Sequence, residues 1–296
     1  MQKLPILLSI LIPTYNYDVF SLVENLYKQA IKADIAFEIL VFDDASQKNF
    51  NNPKINELAH CSFTVLEKNI GRSAIRNLLA KSAKYEWLLL LDADVFPVND
   101  TFISTYIEQT KSSDFKYFSG GIAYKNERPE KDKILRWKYG HHREALLYKD
   151  VLKGKISYMI INILAHKTVF EKVGFDEKIR FYGYEDIIFT YEIMKLFEVS
   201  FIDNPVFHLN EDTSEVFLTK AKTSMETLHF LIHNNSIDVN KVKIAKVYMK
   251  LKKIGLRPIF SFLHRLFKKK MEKNLLSAKP SLFLFDLYRL GYLCSL

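Results

Sequence analysis

The sequence is poor in cysteine, glycine and proline. Its 296 residues include two cysteines, nine glycines and eight prolines. Cys61 and Cys294 indicate neither a disulfide framework nor a cysteine-based metal site, so we expect a reducing compartment. Scarce glycine and proline argue against long disordered linkers. No apolar stretch approaches the ~20 residues of a membrane-spanning helix, and we interpret the apolar N-terminal run, which Pro5 interrupts, as a strand and not a signal peptide.

Positive charge is concentrated towards the C-terminus. Residues 239–273 hold ten lysines and two arginines against one glutamate, a net charge of +11. The chain as a whole carries +9, so the remaining residues together carry about −2. The basic character therefore belongs to this segment.

The first hundred residues predict an α/β fold. Apolar runs at 6–16, 37–46, 61–69 and 86–95 alternate with segments of helical spacing at 19–33 and 71–83. Runs this apolar are typical of strands in a sheet that is covered on both faces. We therefore expect an open, largely parallel sheet.

Acidic residues follow two of these strands. Asp43 and Asp44 end the second, Asp92 and Asp94 end "LLLLDADV", and Thr14 ends the first. Ligands of open α/β sheets bind beyond the carboxyl ends of the strands. We expect these side chains to share one crevice at that edge.

Asp92 and Asp94 suggest a metal-assisted nucleotide site. Two carboxylates at one point are unfavourable without a cation, and oxygen ligands suit Mg²⁺ or Mn²⁺. Mg²⁺ takes few carboxylates and completes its shell with water and phosphates, so a nucleotide diphosphate is the ligand that fits. A solvated turn is the alternative for this triplet.

The pattern loosens after residue 95. "YFSGGIAY", the run from residue 156 and "VSFIDNPVFHLNED" are each interpreted as one strand, the last with His208 near its end. "GYEDIIFTYEIMKLF" begins with acids, which suit the first turn of a helix, and continues with helical spacing.

Four blocks, in order, resemble the family 2 glycosyltransferases. They are "SILIPTYN", "VFDDAS", "NIGRSAIRN" with "LLLLDADV", and "GYED" followed by "FHLN". The resemblance implies an α/β GT-A fold, a Rossmann-like mixed sheet with helices on both faces. It also implies a catalytic domain over residues 1–215, and we expect a helical extension over 216–296.

The resemblance also assigns roles to residues. Asp94 and His208 would hold Mn²⁺ or Mg²⁺, and Arg72 is a second candidate beside Arg76 for the nucleotide. Glu185 would bind the acceptor. Asp186 would be the general base of an inverting transfer. The donor-binding residues would be Pro13, Tyr15, Asp43, Asp44, Arg76 and Asp92.

Structural alternatives stay open for each motif. Asp43 and Asp44 could form a turn with a helix cap, and "GYED" could be only a helix N-terminus. His208 could be structural, and either Arg72 or Arg76 could be a surface charge of the helix. His141 and His142 are interpreted as a surface pair.

The basic segment predicts two amphipathic helices separated by Gly255 and Pro258. One apolar face would include Val242, Ala245, Tyr248 and Leu251, and the next helix repeats the pattern. Lysine-rich amphipathic helices are typical of proteins at anionic membrane surfaces. Packing on the catalytic domain is the alternative, and nucleic acid is not the expected partner.

Together these features predict a metal-dependent transferase that moves a sugar from a UDP-sugar to a saccharide or lipid-linked acceptor in polysaccharide synthesis. We expect it in the cytoplasm, at the inner face of the cell membrane. Two rivals remain. A sugar-phosphate nucleotidylyltransferase would need a Gly-rich basic loop where "IPTYNYD" stands, and the other is a non-catalytic nucleotide-sugar-binding protein at the membrane.

Overall fold

The computed structural model describes residues 7–145, 159–209 and 212–296. The beginning of the run predicted from residue 156, and Asn210 of the "FHLN" block, lie outside these residues. The strands are β1 (Leu7–Thr14), β2 (Ala36–Asp43), β3 (Cys61–Val65), β4 (Trp87–Leu91), β5 (Val95–Pro97), β6 (Tyr117–Ser119), β7 (Ile122–Ala123), β8 (Asn162–His166), β9 (Val199–Phe201) and β10 (Val206–His208).

The described helices alternate with these strands and then follow them. They are α1 (Phe20–Lys32), α2 (Arg72–Ser82), α3 (Phe102–Ser112), α4 (Ile134–Tyr139), α5 (Lys167–Lys172), α6 (Glu185–Leu196), α7 (Ser214–His233), α8 (Lys243–Lys253), α9 (Arg257–Leu275) and α10 (Leu282–Ser295). The predicted early strands and helices are confirmed.

The chain divides into two units. The described residues of Met1–Tyr124, Glu144–Arg180 and Glu185–Leu209 form the first. It contains a seven-stranded sheet of order β3-β2-β1-β4-β8-β6-β9 and a three-stranded sheet of order β5-β10-β7. Strands β3, β2, β1 and β4 run parallel, whereas β8 is antiparallel to both of its neighbours, so the large sheet is mixed.

The leucine run shows why the strands are apolar throughout. Leu89 and Leu91 belong to the core on one face of the sheet, with α1 and α3, and Leu88 and Leu90 belong to the core on the other, with α2 and α6. Side chains alternate along a strand, so a sheet covered on both faces needs an apolar residue at every position. Helices on both faces were predicted and are found.

The carboxyl ends of the parallel strands coincide. Thr14 pairs with Asp43 across β1 and β2, and Leu11 pairs with Leu90 across β1 and β4. Asp43, Asp92 and the residues after Thr14 therefore leave the sheet at one edge, as predicted. This register positions the candidate site.

Two of the predicted late strands are each divided in two. "VSFIDNPVFHLNED" forms β9 in the large sheet and β10 in the small one, and the prediction of one strand is wrong. Pro205 between them has no N–H for a strand ladder. "YFSGGIAY" likewise divides into β6 and β7 at Gly120 and Gly121, where Gly121 has φ +82°, a backbone conformation that favours glycine.

A buried polar cluster explains the first of these glycines. Tyr106 Oη donates to Asn162 Oδ1 at 2.7 Å, and Asn162 Nδ2 donates to the backbone oxygen of Asn204 at 2.8 Å. A Cβ on Gly120 would meet Tyr106 Oη, the Asn204 oxygen (2.5 Å) and Asn162 Nδ2 (2.6 Å). The cluster needs glycine there because it leaves no space for a methyl group.

The second unit comprises the described residues of Lys125–Arg143, Phe181–Tyr184 and Asn210–Leu296. Its helices α4, α7, α9 and α10 share an apolar core of Leu135, Phe217, Leu218, Ala221, Leu275, Phe285 and Tyr288. The predicted helix pair is confirmed as α8 and α9, and Val242, Ala245, Tyr248 and Leu251 are buried on one face. Among the described helices, none has the length and apolar composition needed to cross a membrane.

We predict that Gly120→Ala destabilises the first unit by about 1–3 kcal/mol, because the added methyl group must displace the buried amides. Gly174→Ala is the matched control: its Cβ would lie 3.5 Å from the nearest atom, Asn77 Oδ1. Urea unfolding of both variants measures the difference. Equal midpoints for the two variants would contradict the packing argument.

Candidate active site

A buried arginine joins three segments at the carboxyl edge of the sheet. Arg76, one turn into α2, is 1% exposed. Its Nη2 contacts Asp92 Oδ1 at 2.5 Å, just after β4, and its Nη1 contacts Asp186 Oδ1 at 3.0 Å, in the first turn of α6. Asp92 and Asp186 thus meet at one guanidinium, although they lie 16 and 110 positions after Arg76 in the sequence.

Burial and charge shift the pKa of each member of this group. Burial would lower the pKa of Arg76, but Asp92 and Asp186 outweigh it and raise that pKa. Burial would raise the pKa of Asp92, yet Arg76 and Arg72 hold it below its usual range. Burial raises the pKa of Asp186 to about 6, against the opposing effect of Arg76 and with a further increase from Glu185.

A second arginine completes the cluster from the solvent side. Arg72 Nε contacts Glu185 Oε1 at 3.0 Å, and its Nη2 lies 3.4 Å from Asp92 Oδ2. Arg72 is about half exposed, whereas Glu185 is buried. Two arginines and three carboxylates, Asp92, Glu185 and Asp186, therefore form one network that we call the charge cluster.

Aromatic packing supports the charge cluster. The Arg76 guanidinium lies 5.2 Å from the centre of the Phe175 ring, and Phe175 stacks on Phe189 of α6 with centroids 3.9 Å apart. Asn77 Oδ1 accepts from the Phe175 N–H at 2.8 Å. These contacts fix α2 against α6, so the arginine and its carboxylate partners are held by packed neighbours on both helices.

Asp94 points to a different partner from Asp92. Its Oδ2 lies 3.5 Å from His208 Nε2, and its backbone oxygen accepts from the Leu209 N–H at 2.9 Å. His208 is at the end of β10, where it pairs with Val95 of β5. The small sheet therefore brings together the aspartate and the histidine that the sequence predicted as metal ligands.

Two further residues near this pair were missed by the sequence analysis. The Tyr124 ring stacks on His208, with centroids 5.6 Å apart, and Tyr124 Oη donates to Glu144. Burial, with the nearby charge of Asp94, raises the pKa of Glu144 to about 8. The sequence offers no signal for Glu144, because the residues that interact with it, Tyr124 and Asp94, come from distant segments.

The chemistry of Asp94 and His208 fits a divalent cation. A carboxylate oxygen and an imidazole nitrogen within 3.5 Å suit Mn²⁺, and carboxylate and phosphate oxygens suit Mg²⁺. In the part of the chain that the structure describes, no group of three or more His, Cys, Asp or Glu side chains is arranged as a complete metal site. Asp94 and His208 are the residues here that would hold such an ion, together with oxygen atoms of water and substrate.

The acids after β2 organise the neighbouring loops. Asp44 Oδ1 accepts from the Ile70 N–H at 2.7 Å, and its Oδ2 accepts from the Gly71 N–H at 3.0 Å. Asp43 Oδ1 accepts from the Ser46 N–H at 2.7 Å. Both aspartates are buried. Asp44 therefore holds the loop that leads into α2, and the donor-binding role assigned to each stays a prediction.

The end of β1 and the residues that follow it form the outer part of this edge. Tyr15 is 49% exposed, and Pro13 pairs with Phe42 of β2. Asn16 has φ +53°, and its Oδ1 accepts from the backbone N–H of Gln47 at 3.0 Å. The exposed Tyr15 ring is positioned at the same edge as Asp43, where a nucleotide base could stack on it.

We predict that Arg76→Met lowers the free energy of unfolding by about 3 kcal/mol, because it leaves the partly buried carboxylates of Asp92 and Asp186 without their cation. Lys81→Met, at an exposed cation of the same helix, is the matched control. It should cost about 1 kcal/mol or less. Chemical unfolding at neutral pH measures both, and a loss for Arg76→Met no larger than that for Lys81→Met would refute the buried-charge argument.

Similarity to known proteins identifies the family of this chain. Residues 9–174, more than half of the chain, match Glycosyl transferase family 2. Chondroitin synthase from Escherichia coli is 24% identical over 228 residues, which cover 64% of this chain and 32% of that protein. An uncharacterized glycosyltransferase from Haemophilus influenzae is 31% identical over 127 residues, which cover 41% of each chain. The chain thus matches less than half the length of either relative.

Solved structures of low identity share the fold. A mannosyltransferase from Pyrobaculum calidifontis, in complex with GDP-Man and Mn²⁺, has a TM-score of 0.53 at 14% identity. The match covers 76% of this chain and 64% of the mannosyltransferase. Glucosyl-3-phosphoglycerate synthase from Mycobacterium tuberculosis, with Mn²⁺, UDP and glucosyl-3-phosphoglycerate, has a TM-score of 0.50 at 12% identity, covering 78% and 80%. The predicted GT-A fold is confirmed, and the chain belongs to glycosyl transferase family 2.

Proposed function

We propose that this chain is a metal-dependent, inverting glycosyltransferase that moves a sugar from a UDP-sugar to a hydroxyl of a saccharide or lipid-linked acceptor in polysaccharide synthesis. One observation carries the proposal. Arg76 joins Asp186 to Asp92, two residues before Asp94, so a partly exposed carboxylate with a raised pKa belongs to the same edge as the Asp94–His208 pair. Family membership supports the reaction class.

Asp186 is the proposed general base. It accepts the proton of the acceptor hydroxyl as that oxygen attacks the anomeric carbon, the bond from this carbon to the diphosphate breaks, and the diphosphate leaves with its electron pair. A pKa of about 6 leaves Asp186 ionised at neutral pH and more basic than an ordinary aspartate. Glu185, held by Arg72, is the proposed acceptor-binding carboxylate.

Asp94 and His208 are the proposed ligands of Mn²⁺ or Mg²⁺. The ion, when bound, would neutralise negative charge on the diphosphate. Arg72, the half-exposed cation of the charge cluster, is suited to bind phosphate oxygens from the protein side. The structural relatives whose complexes contain Mn²⁺ support this choice of cofactor.

Pro13, Tyr15 and Asp43 are the proposed nucleoside site, with Asp44 holding its loop and Asp92 near the ribose or sugar. One structural relative binds UDP and the other GDP-Man, so the fold itself accepts either base. Uracil is proposed here because a carboxylate such as Asp43 can accept from its N–H. A panel of UDP- and GDP-sugars, assayed for nucleoside diphosphate release with and without chelator, tests donor and metal together.

The same panel separates the rival functions. A nucleotidylyltransferase would form a nucleotide-sugar from a sugar phosphate and release pyrophosphate, and a binding protein would bind donor without turnover. We also propose a cytoplasmic location at the inner face of the membrane, with the C-terminal helices on an anionic surface. The charge of +11 over residues 239–273 supports it.

We predict that the rate rises with pH through about 6. Below the pKa of Asp186 the carboxyl group is protonated and cannot accept the acceptor proton, so kcat/KM should fall about tenfold per pH unit there. Asp186→Asn should lower kcat by about 10²–10⁴-fold and leave donor binding intact.

Glu192→Gln is the matched control for this experiment, because Glu192 is a half-exposed acid on the same helix that pairs with Lys195. It should keep the wild-type pH profile and rate. A profile that stays flat down to pH 5, or an Asp186→Asn enzyme with wild-type kcat, would exclude Asp186 as the base.

We predict that Asp94→Asn weakens Mn²⁺-dependent UDP binding by at least about tenfold, since it removes the anionic ligand of the pair. Calorimetric titration of UDP with and without Mn²⁺ measures this without turnover. Asp100→Asn, at an exposed acid in the following turn, is the control. Equal Mn²⁺ dependence in the two variants would place the cation elsewhere.

A further inference from the structure

Helix α9 presents a continuous apolar face to its surroundings. Five large apolar side chains on it are 41–61% exposed. They follow the spacing i, i+3, i+4, i+7 and i+8, so they form one stripe along the helix. We call this stripe the α9 apolar face: Ile259, Phe262, Leu263, Leu266 and Phe267.

The opposite side of α9 is fixed by packing within the second unit. His264 is buried, and an added Cβ on Gly291 of α10 would lie 2.7 Å from His264 Cβ. The His264 ring also packs against Tyr288, with centroids 5.2 Å apart. Because His264 packs against α10, the α9 apolar face is directed away from the core of the second unit.

Basic side chains border the α9 apolar face. Arg265 lies beside it, and Lys268, Lys269 and Lys270 follow it directly. The neighbouring helix α8 differs, since its predicted stripe is buried at Ala245, Tyr248 and Leu251. Of the two helices in the segment of net charge +11, it is α9 that combines a row of exposed apolar residues with adjoining lysines.

We propose that the α9 apolar face inserts into the headgroup region of an anionic bilayer, with α9 lying parallel to the surface. A cationic helix with large exposed apolar residues is the form that binds such an interface. A second copy of this chain is not the expected partner of the α9 apolar face, because two segments with a net charge of +11 would repel each other. The inference rests on the membrane location proposed above and is independent of the donor and the sugar.

Vesicle co-sedimentation of the full chain tests the proposal. Vesicles of equimolar phosphatidylcholine and phosphatidylglycerol are the probe, and pure phosphatidylcholine is the comparison. Phe262→Ser combined with Leu266→Ser should weaken partitioning at least tenfold, because two inserting side chains are lost. Phe283→Ser combined with Val247→Ser removes exposed apolar residues from α10 and α8, 69% and 45% exposed, and should partition as wild type.

A charge variant provides an independent second test. Lys268→Gln, Lys269→Gln and Lys270→Gln together should abolish the preference for the anionic vesicles, and folding is checked by circular dichroism. The proposal is overturned if wild type stays in the supernatant, or if the α9 double variant sediments as wild type does. It is also overturned if the wild-type protein is a dimer and the α9 double variant is a monomer. Nucleoside diphosphate release without vesicles should be unchanged in all these variants, which separates this inference from the proposed reaction.

Discussion

The guanidinium of Arg76 is the constraint on which the rest of the site depends. A fully buried cation is unfavourable unless carboxylates surround it, and Asp92 and Asp186 provide them from β4 and α6. The requirement is mutual, because the arginine offsets the cost of partly burying those two carboxylates. The ion pairs of the buried Arg76 therefore fix the position of α6 relative to the sheet edge more specifically than apolar packing alone would.

The sheet register and the charge cluster position different residues of the site. The register of the paired strands places Asp43 and Asp92 at one edge, and the antiparallel β8 extends the sheet beyond β4. The small sheet adds His208 opposite Asp94. Neither sheet alone assembles the site: the large one supplies the acid at 92 and the small one supplies the histidine at 208, and the turn through Asp94 connects them.

Much of this arrangement follows from the sequence, and the remainder has identifiable causes. Apolar runs ending in acids predict strands whose ends meet, because strand polarity and alternation are local properties. The pattern does not distinguish a strand that continues through Pro205 from one that stops there and joins another sheet. Glu144 could not be found, since its environment comes from residues distant in the sequence. Periodicity marked both α8 and α9 as amphipathic but could not show which apolar face is buried.

The raised pKa of Asp186 shows how opposing effects set the properties of one carboxylate. Burial and the charge of Glu185 favour the protonated form, while Arg76 and Arg72 favour the ionised form. Burial alone would raise the pKa of Asp186 further, and the arginines alone would lower it. Because the same guanidinium that holds Asp186 in place also limits its pKa, position and basicity are coupled, and a change at Arg76 alters both.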